Sequence, residues 1–434
     1  MANEQLAKYK SFLEKKFLVI DDHSEFRTAI KRMLEAFGAI DIDTSSNGED
    51  AVSMIKEKYY DAILCDYNLG QGKDGQQVLE EGKYSGAINE SQIFILLTAE
   101  NTADMVMGAL EYEPDTYLIK PFTKEMVYER LTKAIEQKKD LSDIYRAIEG
   151  SEPDKALEIC DKKIAIGGKL VLNCLKIKGK QLIHLKRYEE ALTLYTSLLE
   201  ARNLMWAFLG LGECFFYQQM YDQAIAQFKQ ILAENPSCVE ALDWIAKSNY
   251  QRGNKIEAQK ILEQSVTLSS KAILRQQFLG DVALENEDFV VAEKAFKNAV
   301  SLGKYSCYRR DTDFFMYAEL LVKRMLVEDN AKTASHLEGE AYACIQLVMN
   351  YNAANRISQL APYVKMLELQ IMAGKFEKAM MTANKIDGFF NIKDSCKEYV
   401  AKYADCLLKL PKQELKDKSL QITQELEKLN NESC

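Results

Sequence analysis

Six prolines and three histidines are few for 434 residues, and no two of the ten cysteines stand in a CxxC pair. So little proline leaves room for long helices. Histidines at 23, 184 and 336 only, with cysteines scattered from Cys65 to Cys434, exclude a zinc centre built on ordinary ligand spacing. The cysteines read as reduced, mostly apolar filler. Positive charge is also short: 56 Lys and Arg against 65 Asp and Glu give a formal charge of -9, with a pI near 5.3. Broad attraction to nucleic acid or to an anionic membrane is therefore not expected. No apolar run reaches membrane length, and Met1 to Lys16 carries lysines and glutamates where a signal peptide would be apolar. The expectation is a cytoplasmic chain without membrane insertion, whose partners are proteins.

What is present is 47% hydrophobic and 28% charged residues, enough for two or three cores. The first 120 residues alternate. Short apolar runs at Phe17 to Ile20, Ala62 to Cys65, Ile93 to Thr98 and Thr116 to Ile119, with a weaker one at Ile40 to Thr44, are separated by longer mixed segments. Those segments are Glu25 to Phe37, Gly48 to Lys58, Gly75 to Glu81, Thr102 to Leu110 and Thr123 onward. In the first, Phe26, Ile30, Met33, Leu34 and Phe37 fall at helical spacing and predict one buried stripe. In the last, Met126, Leu131 and Ile135 are the apolar positions. Five β-α units with strands apolar along their length predict an α/β domain, a parallel sheet of order 2-1-3-4-5 covered by helices on both faces.

Ligands of such sheets bind beyond the strands' carboxyl ends. There the sequence places Asp21-Asp22, Asp66, Thr98 and Lys120-Pro121. Three acids crowded together repel one another and favour a divalent cation; magnesium suits hard oxygen ligands and phosphate. A carboxylate can also attack phosphorus to give an acyl phosphate. Asp66, on the middle strand, is the best placed nucleophile. The glycine-rich stretch Gly70 to Gly75 has neither Walker nor dinucleotide spacing and reads as positive-φ turns. His23 borders the acids; His184 and His336 stand alone in helical context.

The acid pair in VIDDHSEFR, the aspartate of ILCDYN, the threonine of ILLTAE and the lysine-proline of TYLIKPF together resemble the receiver domain of two-component response regulators. The likeness covers Met1 to about Lys139. It implies that Asp66 is the phosphoacceptor, served by a sensor histidine kinase or phosphotransfer protein. It further implies that Asp21, Asp22, Asp66 and the Asn68 backbone carbonyl hold Mg2+, and that Lys120 contacts the phosphoryl group. Thr98 and Tyr117 become the switch pair, a cis peptide precedes Pro121, and Asn68 and Glu100 modulate turnover. One departure stands out. The family commonly has proline four residues beyond the phosphoacceptor and glycine eight beyond; here Gly70 replaces the former and Gly75 comes nine beyond, so the loop is expected to be one residue longer and freer. Asp74 reads as a loop residue.

From Leu141 onward no strand-like alternation persists. Instead Tyr188-Glu189-Glu190-Ala191 recurs at Tyr221, Lys255 and Phe289, placing the alanines 33, 34 and 34 residues apart. Further copies occur at Phe376 to Ala379 and, faintly, at Pro153 to Ala156. A large apolar residue comes four positions after each of the four spaced alanines, at Tyr195, Phe228, Leu262 and Phe296. The unit resembles the tetratricopeptide repeat, clearest from Leu204 to Pro236. The register fails between Ala292 and Ala379, 87 residues apart, so 301-360 is expected to hold degenerate repeats or an inserted helix.

The sequence thus predicts three parts: a receiver domain (1-139), an all-α helical-repeat solenoid (140-410, irregular around 301-360), and a charged C-terminal helix or cap (411-434). The function expected is a phosphorylation-controlled signalling adaptor, in which phosphoryl transfer to Asp66 switches protein binding by the repeats. No enzymatic activity beyond self-phosphorylation and self-dephosphorylation is expected. A DNA-binding transcriptional regulator lacks its basic recognition helix here; a phosphorylation-independent scaffold remains the other alternative. The resemblance leaves room for a homodimer through the last receiver helices.

Overall fold

The computed structural model describes residues 12-99, 114-353, 356-392 and 394-431. The predicted helix at 102-110 and the turnover-modulating position Glu100 lie outside them.

Five strands, β1 (Lys16–Ile20), β2 (Asp41–Ser45), β3 (Ala62–Asp66), β4 (Ile93–Thr98) and β5 (Thr116–Ile119), pair in parallel in the order β2-β1-β3-β4-β5. Between and after them run α1 (Ser24–Ala36), α2 (Gly48–Glu57), α3 (Gly75–Tyr84) and α4 (Lys124–Asp140). Strand side chains alternate in direction. Phe17, Val19, Leu64, Ile95 and Leu97 therefore fill one core with Ile30, Leu34, Val127 and Leu131. Leu18, Ile20, Ile63, Cys65, Phe94 and Leu96 fill the other with Val52, Ile55, Val78 and Leu79. Both faces being covered explains why β3 and β4 are buried at every residue.

Two predicted core positions are corrected. Phe26 is 47% exposed, its ring lying against the Lys120 ammonium rather than in the core; Ile30, Leu34 and Phe37 carry the stripe. Met126 is 42% exposed, since the α4 stripe is Val127, Leu131 and Ile135, spaced by four.

The loop after Asp66, expected to be freer, is held at several points. Gly70 and Gly72 take φ of +75° and +101°, conformations that glycine adopts without steric cost. The Lys73 amide donates to Glu49 Oε1 at 3.0 Å, and the Gly75 amide donates to the Tyr67 carbonyl at 2.9 Å. Asp74 proves to be the N-cap of α3. Its carboxylate accepts the Gln77 amide at 2.8 Å while the Gln77 side chain accepts the Asp74 amide, a complete capping box.

The remaining described residues form helices α5 (Ser142–Glu149), α6 (Pro153–Ile166), α7 (Val171–His184), α8 (Tyr188–Ala201), α9 (Met205–Tyr217), α10 (Tyr221–Glu234), α11 (Val239–Gln251), α12 (Lys255–Leu268), α13 (Ile273–Glu285) and α14 (Phe289–Gly303). After these come α15 (Asp311–Leu326), α16 (Ala331–Tyr351), α17 (Arg356–Met372), α18 (Phe376–Asp387), α19 (Lys397–Leu408) and α20 (Gln413–Asn431). No helix among the described residues is long and apolar enough to cross a membrane.

Repeat helices start at the residue that opens each sequence copy, and Ala156, Ala191, Ala224, Ala258, Ala292 and Ala379 are all fully buried. Glycines on neighbouring helices make room for the large side chain one turn beyond the alanine. The Tyr195 side chain lies between Gly179 and Gly210, where a Cβ would meet its hydroxyl and its ring, respectively, at 2.3 Å, and Gly212 admits Phe228 in the same way at 2.5 Å. Six helix-to-helix turns share one geometry. A residue of positive φ (Ser151, Lys186, Gln219, Gly253, Glu287, Gly374) stands two before the next helix. The next residue's amide, as in Met220 to the Phe215 carbonyl at 2.8 Å, closes the 6→1 bond of a Schellman ending.

The chain divides into two compact units, 1-282 with 302-308, and 283-301 with 309-434. In the second, α15 and α16 form a long hairpin around Phe314, Phe315, Leu321, Ile345 and Val348. Among the described residues the irregular region is therefore helical except for its connections. A second core around Tyr403 gathers α17 to α20, with the Tyr403 hydroxyl bonding Asp387 at 2.5 Å.

Candidate functional site

Parallel strands bring all five carboxyl ends to one edge. Asp21 and Asp22 follow β1, Asp66 is the last residue of β3, Thr98 ends β4, and Lys120 follows β5. The chemistry-bearing residues predicted from sequence are thus assembled by topology.

Lys120 Nζ lies 2.8 Å from Asp21 Oδ2 and 2.9 Å from Asp66 Oδ2, so one ammonium bridges two carboxylates. The Asp21 side chain is fully buried. Its other oxygen accepts the His23 amide at 2.9 Å, and its main-chain carbonyl accepts Arg27 at 2.6 Å. Asp22 is turned outward, 29% exposed, with His23 Nδ1 at 2.7 Å. Burial raises the Asp66 carboxyl above its ordinary range; Lys120 opposes this, while Asp21 and Asp22 add to it. Burial by itself would lower Lys120, but hydrogen bonds to Asp21 and Asp66 outweigh it and hold the ammonium charged.

Asp21, Asp22 and Asp66 carry more negative charge than the Lys120 ammonium matches, and the carboxylates offer hard oxygen donors. Among the described residues, Asp21, Asp22 and His23 gather ligand atoms within 4.8 Å of one another. With Asp66 beside them, this donor set fits a divalent cation that prefers oxygen.

Thr98 is buried and its carbonyl accepts the Lys120 amide at 2.7 Å. Tyr117, beside Leu96 in the sheet, is 37% exposed. Asn68 is exposed, and its side-chain oxygen accepts the Gly70 amide at 3.2 Å. The Lys120–Pro121 peptide is cis. Two neighbours escaped the sequence reading. Phe26 places its ring 4.6 Å from the Lys120 ammonium, and Arg27 braces Asp21 from α1. Both stand in VIDDHSEFR, but helical spacing assigned Phe26 to the core. Cys65 is inert filler, its thiol pushed well up by complete burial.

The family model of the response regulator receiver domain matches residues 17–132. This segment is a receiver domain. A tetratricopeptide repeat model matches residues 206–237, so the receiver is followed by a repeat-type helical region, the architecture of a two-component response regulator. Transcriptional regulatory protein ZraR of Salmonella typhimurium is 30% identical over 118 residues, 27% of this chain and 26% of that protein. Chemotaxis protein CheY-3 of Vibrio cholerae is 26% identical over 122 residues, 28% of this chain and 92% of that protein. The chain thus spans about a quarter of the length of the first of these relatives and most of the second. Among solved structures, a two-component response regulator from Clostridium difficile is 28% identical, covering 28% of this chain and 97% of that one with a TM-score of 0.26. MamA of Desulfovibrio magneticus RS-1 is 21% identical, covering 38% of this chain and 94% of that one with a TM-score of 0.33.

Proposed function

We propose that the chain is a phosphorylation-controlled signalling adaptor: the receiver accepts a phosphoryl group on Asp66 and thereby changes protein binding by the repeats. The observation that carries this reading is the bridge from Lys120 to both Asp21 and Asp66 at the sheet's carboxyl edge. A carboxylate oxygen of Asp66 attacks phosphorus; the new O–P bond replaces the bond to the donor's histidine nitrogen, which leaves with the electron pair. Lys120 then follows the charge from the carboxylate to the phosphoryl oxygens. Asp21, Asp22, Asp66 and the Asn68 carbonyl would hold Mg2+, which supplies positive charge to the phosphoryl oxygens when bound.

Thr98 and Tyr117 are the proposed switch pair, closing over the new group and altering the exposed face of β5. Asn68 and Glu100 are proposed to set acyl-phosphate lifetime. The donor is a sensor histidine kinase or a phosphotransfer protein, and the output is a protein contact made by the repeats. Folded helical pairs of this kind present extended walls suited to such contacts. The proposed parts are the receiver to about residue 139, the repeats to about 410 and a C-terminal cap.

Incubation of the full chain with Mg2+ and acetyl phosphate, read by intact mass, tests the first half. One phosphoryl group gained by the native chain and none by Asp66→Asn is expected. Equal uptake by both would remove Asp66 from its role, and no uptake by either would leave a phosphorylation-independent scaffold as the reading.

A further inference from the structure

Helix α3 has a polar face that a free-standing receiver would leave in water, yet Gln76 is 4% and Glu80 3% exposed. Buried polar groups need partners: Gln76 accepts the Tyr67 hydroxyl at 3.3 Å within the receiver, whereas the partners of Glu80 and of the neighbouring Gln77 come from far along the chain. Ser306 Oγ lies 2.7 Å from Glu80 Oε1, and Gln77 Nε2 donates to the Leu302 carbonyl at 3.2 Å. Lys73 Nζ donates to the Tyr305 carbonyl, and the rings of Tyr84 and Tyr308 meet edge to face at 5.3 Å. Residues 302-308 belong to the same compact unit as the receiver.

The chemistry of this strap is specific. Leu302 is in the last turn of α14, whose final carbonyls have no partner within the helix. An amide of the receiver caps one of them, and a lysine ammonium takes the carbonyl just beyond, where a cation is favoured by the helix dipole. The strap is also tied to the repeats, because Gln277 Nε2 of α13 donates to the Tyr308 carbonyl at 2.9 Å.

A second contact reaches the neighbour of the phosphoacceptor. Lys271, just before α13, places its ammonium 3.3 Å from the Tyr67 hydroxyl and 5.1 Å from the centre of its ring. Tyr67 is 4% exposed and follows Asp66 directly; its amide donates to the Leu97 carbonyl and its carbonyl accepts Gly75 at the start of α3. Any shift of Asp66 is therefore felt at Tyr67, and from there at both Lys271 and α3.

Resting on the adaptor reading, we propose that the loop after Asp66 together with α3 is the receiver's output surface toward its own repeats. In this device Lys271 and the 302-308 strap form a brace that tightens when Asp66 is phosphorylated. The sign follows from charge. Phosphorylation replaces the single charge of the Asp66 carboxylate with about two on the phosphoryl group, a net gain of about one negative charge beside Tyr67, and the group that the repeats present there is an ammonium. By linkage, whatever loosens the brace also disfavours the phosphorylated state.

Hydrogen exchange on the full chain, with and without beryllofluoride and Mg2+ as the acyl-phosphate mimic, tests the brace. Amides of 303-308 should exchange about tenfold more slowly with the mimic, a size typical of coupled sites. Lys271→Ala, at an exposed position, should abolish that difference; Ser306→Ala should raise strap exchange in both states. A strap indifferent to the mimic while phosphoryl uptake at Asp66 is normal would overturn the brace and leave the adaptor reading intact. Failure of uptake overturns both. Faster strap exchange with the mimic would reverse the sign and refute the tightening.

Discussion

Gly75 and Asp66 touch through their backbones: a Cβ at position 75 would stand 2.1 Å from the Asp66 carbonyl oxygen and 3.0 Å from Cys65 Sγ. The start of α3 is thus pressed against the end of β3. The Gly75 amide, bonded to the Tyr67 carbonyl, pins the loop between them. Gly70 and Gly72 turn the loop at positive φ, and the close approach falls on the glycine nine residues beyond Asp66.

Gly75→Ala forces the strand end and the helix start apart. The obstacle is main chain and cannot rotate away, so a loss of about 1–3 kcal/mol is expected, as for other overpacked sites. Urea unfolding of the two proteins measures it. Phosphoryl uptake should fall with it, because the displaced atoms belong to Asp66. An unchanged midpoint would show that the loop has slack.

Lys120→Ala removes the one cation shared by Asp21 and Asp66. Asp21 has no access to water, so its charge is left buried without the ammonium that balanced it, a situation that costs about 3–5 kcal/mol in buried pairs. Residual exposure of Asp66 reduces this to about 2–4 kcal/mol here. Added Mg2+ should recover part of the loss by replacing the positive charge, while phosphoryl uptake stays absent. Thermal unfolding with and without Mg2+ distinguishes the two effects. A variant as stable as the native chain would mean that the carboxylates are already hydrated.

Much of the receiver could be read without coordinates because its strands are apolar along their whole length and its chemistry sits at strand ends, both local signals. The alanines of the repeats were legible for the same reason: each occupies a close helix contact that recurs at a fixed period. Phe26 and Met126 were misplaced because helical spacing identifies a face only to within one residue, and because an aromatic in a helix's first turn can lie against the site, as Phe26 does against Lys120. The contact between Tyr67 and Lys271 spans 204 residues, and nothing near either position hints at it. Glu80, too, reads as an ordinary solvated glutamate until Ser306 is placed upon it.

Burial pushes the Glu80 carboxyl up to about 7; the Ser306 hydroxyl opposes the rise, Asp74 adds to it, Lys73 opposes it and Glu81 adds to it. A folded-state value raised above the unfolded one means that the folded chain holds the proton more tightly. The stability that Glu80 contributes is therefore complete below its unfolded value, about 4.5, and is lost as pH rises from there to about 7. Glu80→Gln keeps the hydrogen bond with Ser306 and removes the titration. It should be more stable than the native chain at pH 8 by about 1–3 kcal/mol and nearly equal at pH 4.5. Denaturant midpoints at the two pH values decide. A constant difference across the range would assign the effect to packing rather than to the proton.

The six Schellman turns supply an internal comparison, since Gly253 and Gly374 occupy a left-handed position that Ser151, Lys186, Gln219 and Glu287 fill with side chains. For an L-residue this conformation costs about 1 kcal/mol or more, whereas glycine adopts it freely but loses more entropy on folding. Gln219 has φ of +63°, and the bond from Met220 to the Phe215 carbonyl fixes it there. Gln219→Gly should raise stability by about 0.5–1 kcal/mol, and Gly253→Gln, at φ of +83°, should lower it by about 1 kcal/mol. Opposite signs at equivalent positions separate backbone strain from any effect of the side chain itself. Thermal unfolding of both variants against the native chain is the measurement, and shifts of the same sign would show that the side chains, not the backbone, set these turns.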